Sequence, residues 1–277
     1  MKKAVTLILS ILLLSVCSCR KEATPDYIAY EATLYDGLDG GHHAVDVTLW
    51  MANSEYDPAP ETAEIKFNGK TYIGNYTQSI SYAPYTYVRH EYRSDEATFA
   101  INAETNELTK IMFFGNFSYD SSVPATECKQ IAETLAKSYI DISEYSTEEN
   151  IGDSLYSITY FREIDGYKTS DQLAIALNYN GEIFSFSCTN LGSFADVSKI
   201  DYDHEKIDTA LNTKILNIYR DENKHIGYNI NSVVLIRLDD GSIAFLFEIT
   251  NRFFDGNTES TSPVCLLVAE ENAIVPQ

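Results

Sequence analysis

Two stretches of this chain read in the same order, and that order constrains the fold more than any other feature. From 126 to 140, behind Pro124, the residues Cys128, Ile131, Ala132, Leu135, Ala136 and Tyr139 recur at helical spacing. This predicts a helix with one apolar face that must lie against something. Runs suited to strands follow at 155–163, 172–178 and 182–189, joined through Asp165-Gly166-Tyr167 and Asn180-Gly181. Asn-Gly is a strong hairpin signal, because a tight turn of this kind needs positive φ at both central residues. A second helix is predicted over 203–220, with Ile207, Ala210, Leu211, Ile215, Ile218 and Tyr219 on one face. Asp203 can cap it, and Glu205 early with Arg220 late suits the helix dipole. Strands are then expected at 232–238, 242–250 and 264–269, with Asp240-Gly241 in the first turn. Gly166 and Gly241 lie 75 residues apart, so spacing repeats along with order.

A partial third copy lies upstream. Ser94-Asp95 followed by Asn102 matches Ser170-Asp171 followed by Asn178, 76 residues on, and Asn106-Glu107-Leu108 parallels Gly181-Glu182-Ile183. Its helix is missing, since 51–75 contains Pro58, Pro60 and Asn68-Gly69 and reads as loops and short strands. Alternation such as Leu173, Ile175, Leu177 and Ile243, Phe245, Phe247, Ile249 suits antiparallel sheets covered on one face. The expected fold class is therefore α+β: antiparallel sheets, each with one packed helix, in two tandem repeats at 119–198 and 199–277, behind a divergent β-rich unit at 27–118.

The segment Ile164-Asp165-Gly166-Tyr167, leading into Asp171-Gln172-Leu173-Ala174-Ile175-Ala176-Leu177 and then Asn180-Gly181-Glu182-Ile183, resembles PepSY-type domains. Such domains occur in propeptides of thermolysin-like proteases and in envelope proteins of the YpeB and YcdB kinds. The resemblance covers 126–189 best, 203–270 less well, and 94–111 only as a hairpin. It implies a non-catalytic role, binding or restraining a peptidase or another envelope enzyme, and brings no catalytic residues.

The N-terminus reads Met1-Lys2-Lys3, then a nearly unbroken apolar run from Ala4 to Val16, then small and sulfur-containing residues. That is the order of a secretory signal, and the run is shorter than the roughly 20 residues a permanent span needs. Val16-Cys17-Ser18-Cys19 resembles the lipobox of bacterial lipoproteins, with Cys19, behind the small Ser18, as the lipidated residue. Residues 1–18 are then a signal peptide and 19–26 a tether, placing the protein in the bacterial envelope, extracytoplasmic and lipid-anchored to a membrane. An ordinary cleaved signal followed by release is the alternative.

Without residues 1–18, which hold two lysines, 18 basic residues face 41 acidic ones, a formal charge of −23. Such a surface repels nucleic acid and favours cationic partners. Because the acids are dispersed and 44% of the chain is hydrophobic, a packed core is expected rather than an acidic tail. Cys128, Cys188 and Cys265 remain, an odd number in an oxidising compartment. They read as small buried hydrophobes, with a disulfide between two of them as the alternative.

No catalytic, metal or cofactor site is expected. His204-Glu205 is followed by Asp208 where a zinc-protease helix needs a second histidine, and His90-Glu91 is followed by Ser94. The loop Asp36 to Gly41 before His42-His43 lacks the ligand ladder and closing glutamate of an EF-hand. Recognition is suggested by tyrosine instead: ten of the 20 lie between Tyr27 and Tyr92. Trp50, Tyr82, Tyr85 and Tyr87 are the candidate ligand-binding residues, since broad rings with polar tips suit peptides and sugars. The bland alternative is that aromatic residues simply fill strands. The function expected is a surface-anchored, non-catalytic lipoprotein that binds or regulates an envelope protein or peptidase. The alternative is a glycan- or peptide-binding protein using the tyrosine-rich unit.

Overall fold

The computed structural model describes residues 58–80, 87–115, 123–219, 225–238, 240–255, 257–268 and 274–276. The first unit is a meander of five antiparallel strands: β1 (Thr62–Phe67), β2 (Lys70–Ile80), β3 (Arg89–Arg93), β4 (Ala97–Asn102) and β5 (Leu108–Phe113). Next come α1 (Ala125–Ala136), a 3-10 turn (Ile142–Glu144), and four strands: β6 (Ser146–Ile151), β7 (Leu155–Ile164), β8 (Tyr167–Asn178) and β9 (Ile183–Thr189). The last part holds β10 (Ile200–Tyr202), α2 (His204–Tyr219), the meander β11 (His225–Arg237), β12 (Ile243–Phe254) and β13 (Glu259–Val268), then β14 (Ile274–Pro276) paired with β10.

Several local expectations meet their elements. Asp165-Gly166 adopts φ of 49° and 84° between β7 and β8, the conformation that a tight right-twisted hairpin requires. Asp203 accepts the Lys206 amide at 3.2 Å and caps α2. Cys128, Ala132 and Ala136, one turn apart, are the buried residues of α1, and their small size lets the helix lie close on β7 and β8. The helix stops at Ala136, short of the expected Ile140. Beyond it the Ser138 hydroxyl donates to the Leu135 carbonyl at 2.6 Å, and the Tyr139 ring turns to Phe186, 4.5 Å between centroids.

The expected fold class is overturned. The protein is mostly β: its repeats do not build two separate sheets, because 12 strands join one mixed sheet, and two helices are present among the described residues. β5 pairs antiparallel with β9, and β8 pairs parallel with β11 through Val234↔Lys168 and Leu235↔Thr169. The helices are not in equivalent places either, α1 lying on β7 and β8 and α2 against β13. Alternation in sequence reports which face of a strand is buried, but not what lies along its edge.

β8 is where the sheet forks. One edge pairs with β7 along its length; the other pairs β11 near Lys168 and Thr169, then β9 from Gln172 to Leu177. Two apolar clusters meet there. Leu173, Ile175 and Leu177 join the cluster beneath α1, while Tyr167, on the same face of the strand, joins the one containing Ile207, Leu211 and Ile215 of α2. Between them Thr169, Ser170 and Asp171 are wholly buried. Their polarity is satisfied locally. Thr169 donates to the Arg162 carbonyl at 2.9 Å, Asn190 donates to Ser170 at 3.1 Å, and Asp171 accepts from the Tyr145 hydroxyl at 2.8 Å and Arg162 Nε at 3.3 Å.

Candidate functional site

Of the expected site residues, only Tyr87 falls among the described residues. Cys19, Trp50, Tyr82 and Tyr85 lie outside the described residues, as does the acidic loop before His42-His43. Tyr87 is described, half-buried just ahead of β3. Of the other tyrosines described in this unit, Tyr92 is fully buried and stacks on Phe99 at 5.4 Å, with Tyr76 edge-on to it at 5.9 Å. His90 is buried and shares a 2.8 Å hydrogen bond with Ser79. Among the described residues no group of three or more His, Cys, Asp or Glu could hold a metal ion.

Cys128 and Cys188 are free thiols. Burial pushes the Cys188 thiol up to about 12, and Cys128 is raised for the same reason. Neither is poised as a nucleophile, since reactivity needs the thiolate.

A different place has the shape of a binding site. A cleft of about 550 Å³ opens between the β1–β2 turn, the end of β5, α1 and the β8–β9 hairpin. That volume falls within the range usual for ligand pockets. Phe67, Tyr72, Phe113, Phe114 and Phe184 line it, with Ile131 of α1. Turn geometry places the rings: Asn68-Gly69, at φ of 46° and 78°, folds β1 back on β2 so that Phe67 and Tyr72 both approach Phe113, at 6.0 and 5.5 Å.

The polar groups at the cleft are largely engaged within the chain. Lys70 pairs with Glu96, and this hydrogen bond is the main reason its ammonium is held above its usual range. Burial raises the Tyr72 phenol, with the Lys70 ammonium 5.3 Å from its ring opposing the shift. Asn178 accepts the amides of Asn180 and Glu182 at 3.1 and 3.0 Å and donates to the Glu182 carboxylate at 3.0 Å. Five aromatic rings are therefore part of the surface a ligand would meet, and Phe114 is 42% exposed. Sequence reasoning weighed tyrosine and passed over these phenylalanines; the signal was Phe113-Phe114-Gly115, two large rings at the end of a strand.

In comparisons with known proteins, no family profile and no curated sequence matches the chain. Among solved structures it is similar to the Bacillus megaterium YpeB C-terminal domain, at 11% identity and a TM-score of 0.33, over 73% of this chain and 88% of that one.

Proposed function

We propose that the protein is a surface-anchored, non-catalytic binding module that holds an apolar segment of another envelope polypeptide in the aromatic cleft. The observation that carries this is the cleft's lining: four rings from four strands and Phe114 just beyond β5, with Asn178, Glu182 and Lys70 already hydrogen-bonded within the chain. Apolar burial then supplies the affinity. A sugar would need free donors and acceptors, although the exposed Phe114 ring keeps glycan binding as the second reading. The anchor is the lipid on Cys19, from the lipobox-like Val16-Cys17-Ser18-Cys19.

Parallel peptide and glycan arrays probed with the chain from residue 27 onward test this. Peptides with clustered apolar residues should bind, and Phe113→Ala should weaken them about tenfold, equivalent to about 1.4 kcal/mol. Binding confined to glycans, or hydrolysis of peptide, ester or glycoside substrates that vanishes on chelation, would overturn the reading. Cys19→Ala should release the protein or stall its processing while Cys17→Ala leaves it attached; unchanged lipid labelling in the Cys19 variant would remove the anchor.

A further inference from the structure

The terminal strands of the large sheet differ in how well their outer edges are protected. β13 carries Pro263 near its middle, and β1 follows Pro58 and Pro60 and bears Lys66. Proline removes a donor and lysine discourages pairing, the usual protections of an exposed edge. β6, Ser-Thr-Glu-Glu-Asn-Ile, has neither, pairs with β7 alone among the described residues, and is exposed at all six residues. Every second residue of such a strand turns its N–H and C=O away from its partner. We propose that β6 is a docking edge onto which a cationic, extended segment of another polypeptide adds as a further strand.

The edge is already fixed in strand form. Its ladder with β7 runs unbroken from Ser146↔Phe161 to Ile151↔Tyr156. Glu149 binds Lys129 at 2.5 Å and accepts from the Tyr156 hydroxyl at 3.0 Å; Glu148 binds Lys168 at 2.5 Å on the other face. Tyr179 donates to the Gly152 carbonyl at 2.8 Å and holds the turn after β6. An incoming strand therefore meets a prepared template, which lowers the ordering cost of binding. Ile151, 65% exposed at the strand's end, adds apolar surface for it to cover.

Charge selects the occupant. A second copy pairing antiparallel about the strand centre would set Glu148 opposite Glu148, or Glu149 opposite Glu149, and like charges directly opposed destabilise a ladder. The chain's net charge of −21 opposes self-association as well. Glu144, Glu148, Glu149 and Asp153 in and beside the strand outnumber Lys129, Lys168 and Arg162, the last paired with Glu144, so lysine or arginine at alternate positions of a foreign strand fits the edge.

The test uses the full chain and a fluorescent Lys-Val-Lys-Val-Lys-Val peptide, read by anisotropy and by hydrogen exchange. The expected result is binding that slows exchange at 146–151. It should weaken at least tenfold when every peptide residue is N-methylated, which keeps charge but removes the backbone donors, and be absent for the Glu-Val counterpart. Phe113→Ala should leave it unchanged, separating this edge from the cleft. Equal binding of the N-methylated peptide, protection lying elsewhere, no binding of the Lys-Val peptide, or protection of β6 that grows with protein concentration alone would each overturn the proposal.

Discussion

Replacing Arg162 by Met should be among the most destabilising conservative changes in this chain, because it strands a buried carboxylate. Asp171 is fully buried and its ionic partner is Arg162, whose side chain is 16% exposed and whose guanidinium lies 5.1 Å from the Tyr145 ring. At 3.3 Å, with an effective dielectric constant of about 20, the attraction is about 5 kcal/mol, and desolvation of the two charges offsets much of it. Removing only the cation leaves the desolvation of Asp171 uncompensated, a loss of about 3–5 kcal/mol. Methionine keeps the apolar stem, so packing is a minor part of that loss. Against a typical stability of about 5–15 kcal/mol, the urea midpoint followed by circular dichroism should fall by a fifth or more. The double variant Arg162→Met, Asp171→Asn removes the charge and keeps an acceptor for the Tyr145 hydroxyl. It should be more stable than Arg162→Met alone by at least about 1 kcal/mol, since both partners of a buried pair go together. Losses that simply add would refute the reasoning.

Leu211→Asp should destabilise by several kcal/mol, because Leu211 is fully buried under α2, whereas Leu135→Asp should be milder, since Leu135 is only partly buried on α1; equal losses in thermal unfolding would contradict this. His225 is buried against Asn251 at 3.1 Å, and burial holds its imidazole below the usual 6.5, with the Asn251 hydrogen bond opposing the shift. Its neutral form therefore contributes stability that is complete above pH 6.5 and is lost as pH falls through the lower folded value. His225→Gln should flatten the stability curve below pH 6.5 relative to the parent; an unchanged difference between the two from pH 8 to 5 would rule this out.

The parts of the fold legible in the sequence were those where one face of an element is apolar. Ile207, Leu211 and Ile215, or Leu173, Ile175 and Leu177, announce a buried stripe whatever lies opposite. β8 nonetheless begins at Tyr167 rather than at the expected Gln172, because Thr169, Ser170 and Asp171 are buried by hydrogen bonding and carry no apolar signal. β6 escaped for the converse reason: it is a strand with no buried face. β11 starts at His225, not 232, since register shifts near Gly227 and after Ile230 break its alternation. The joining of the units was illegible because β5–β9 and β8–β11 are pairings between distant segments. The cleft is built across the β5–β9 joint, so its rings from β1, β2, β5 and β9 could be named singly but not assembled.

The fork at β8 also sets how the parts should unfold. Only Val234↔Lys168 and Leu235↔Thr169 join β11 to β8 by backbone pairing, too short a ladder to hold two bodies together. Side chains complete the joint. Tyr167 leaves the β7–β8 turn and enters the C-terminal cluster, 5.0 Å from Phe245 and 5.8 Å from Tyr202, and shares a 2.8 Å hydrogen bond with the Tyr202 hydroxyl. Removing so large a buried ring costs about 3–5 kcal/mol, and here the loss falls on the contact between two clusters. Tyr167→Ala should therefore turn one cooperative urea transition into two, the earlier one reporting α2 and β11–β13 by hydrogen exchange. A single transition merely shifted to lower urea would mean that the loop from Asn190 to Lys199, whose Asp196 pairs with Arg237 of β11, couples the halves without Tyr167. Two transitions already present in the parent chain would mean that the joint never made them one unit.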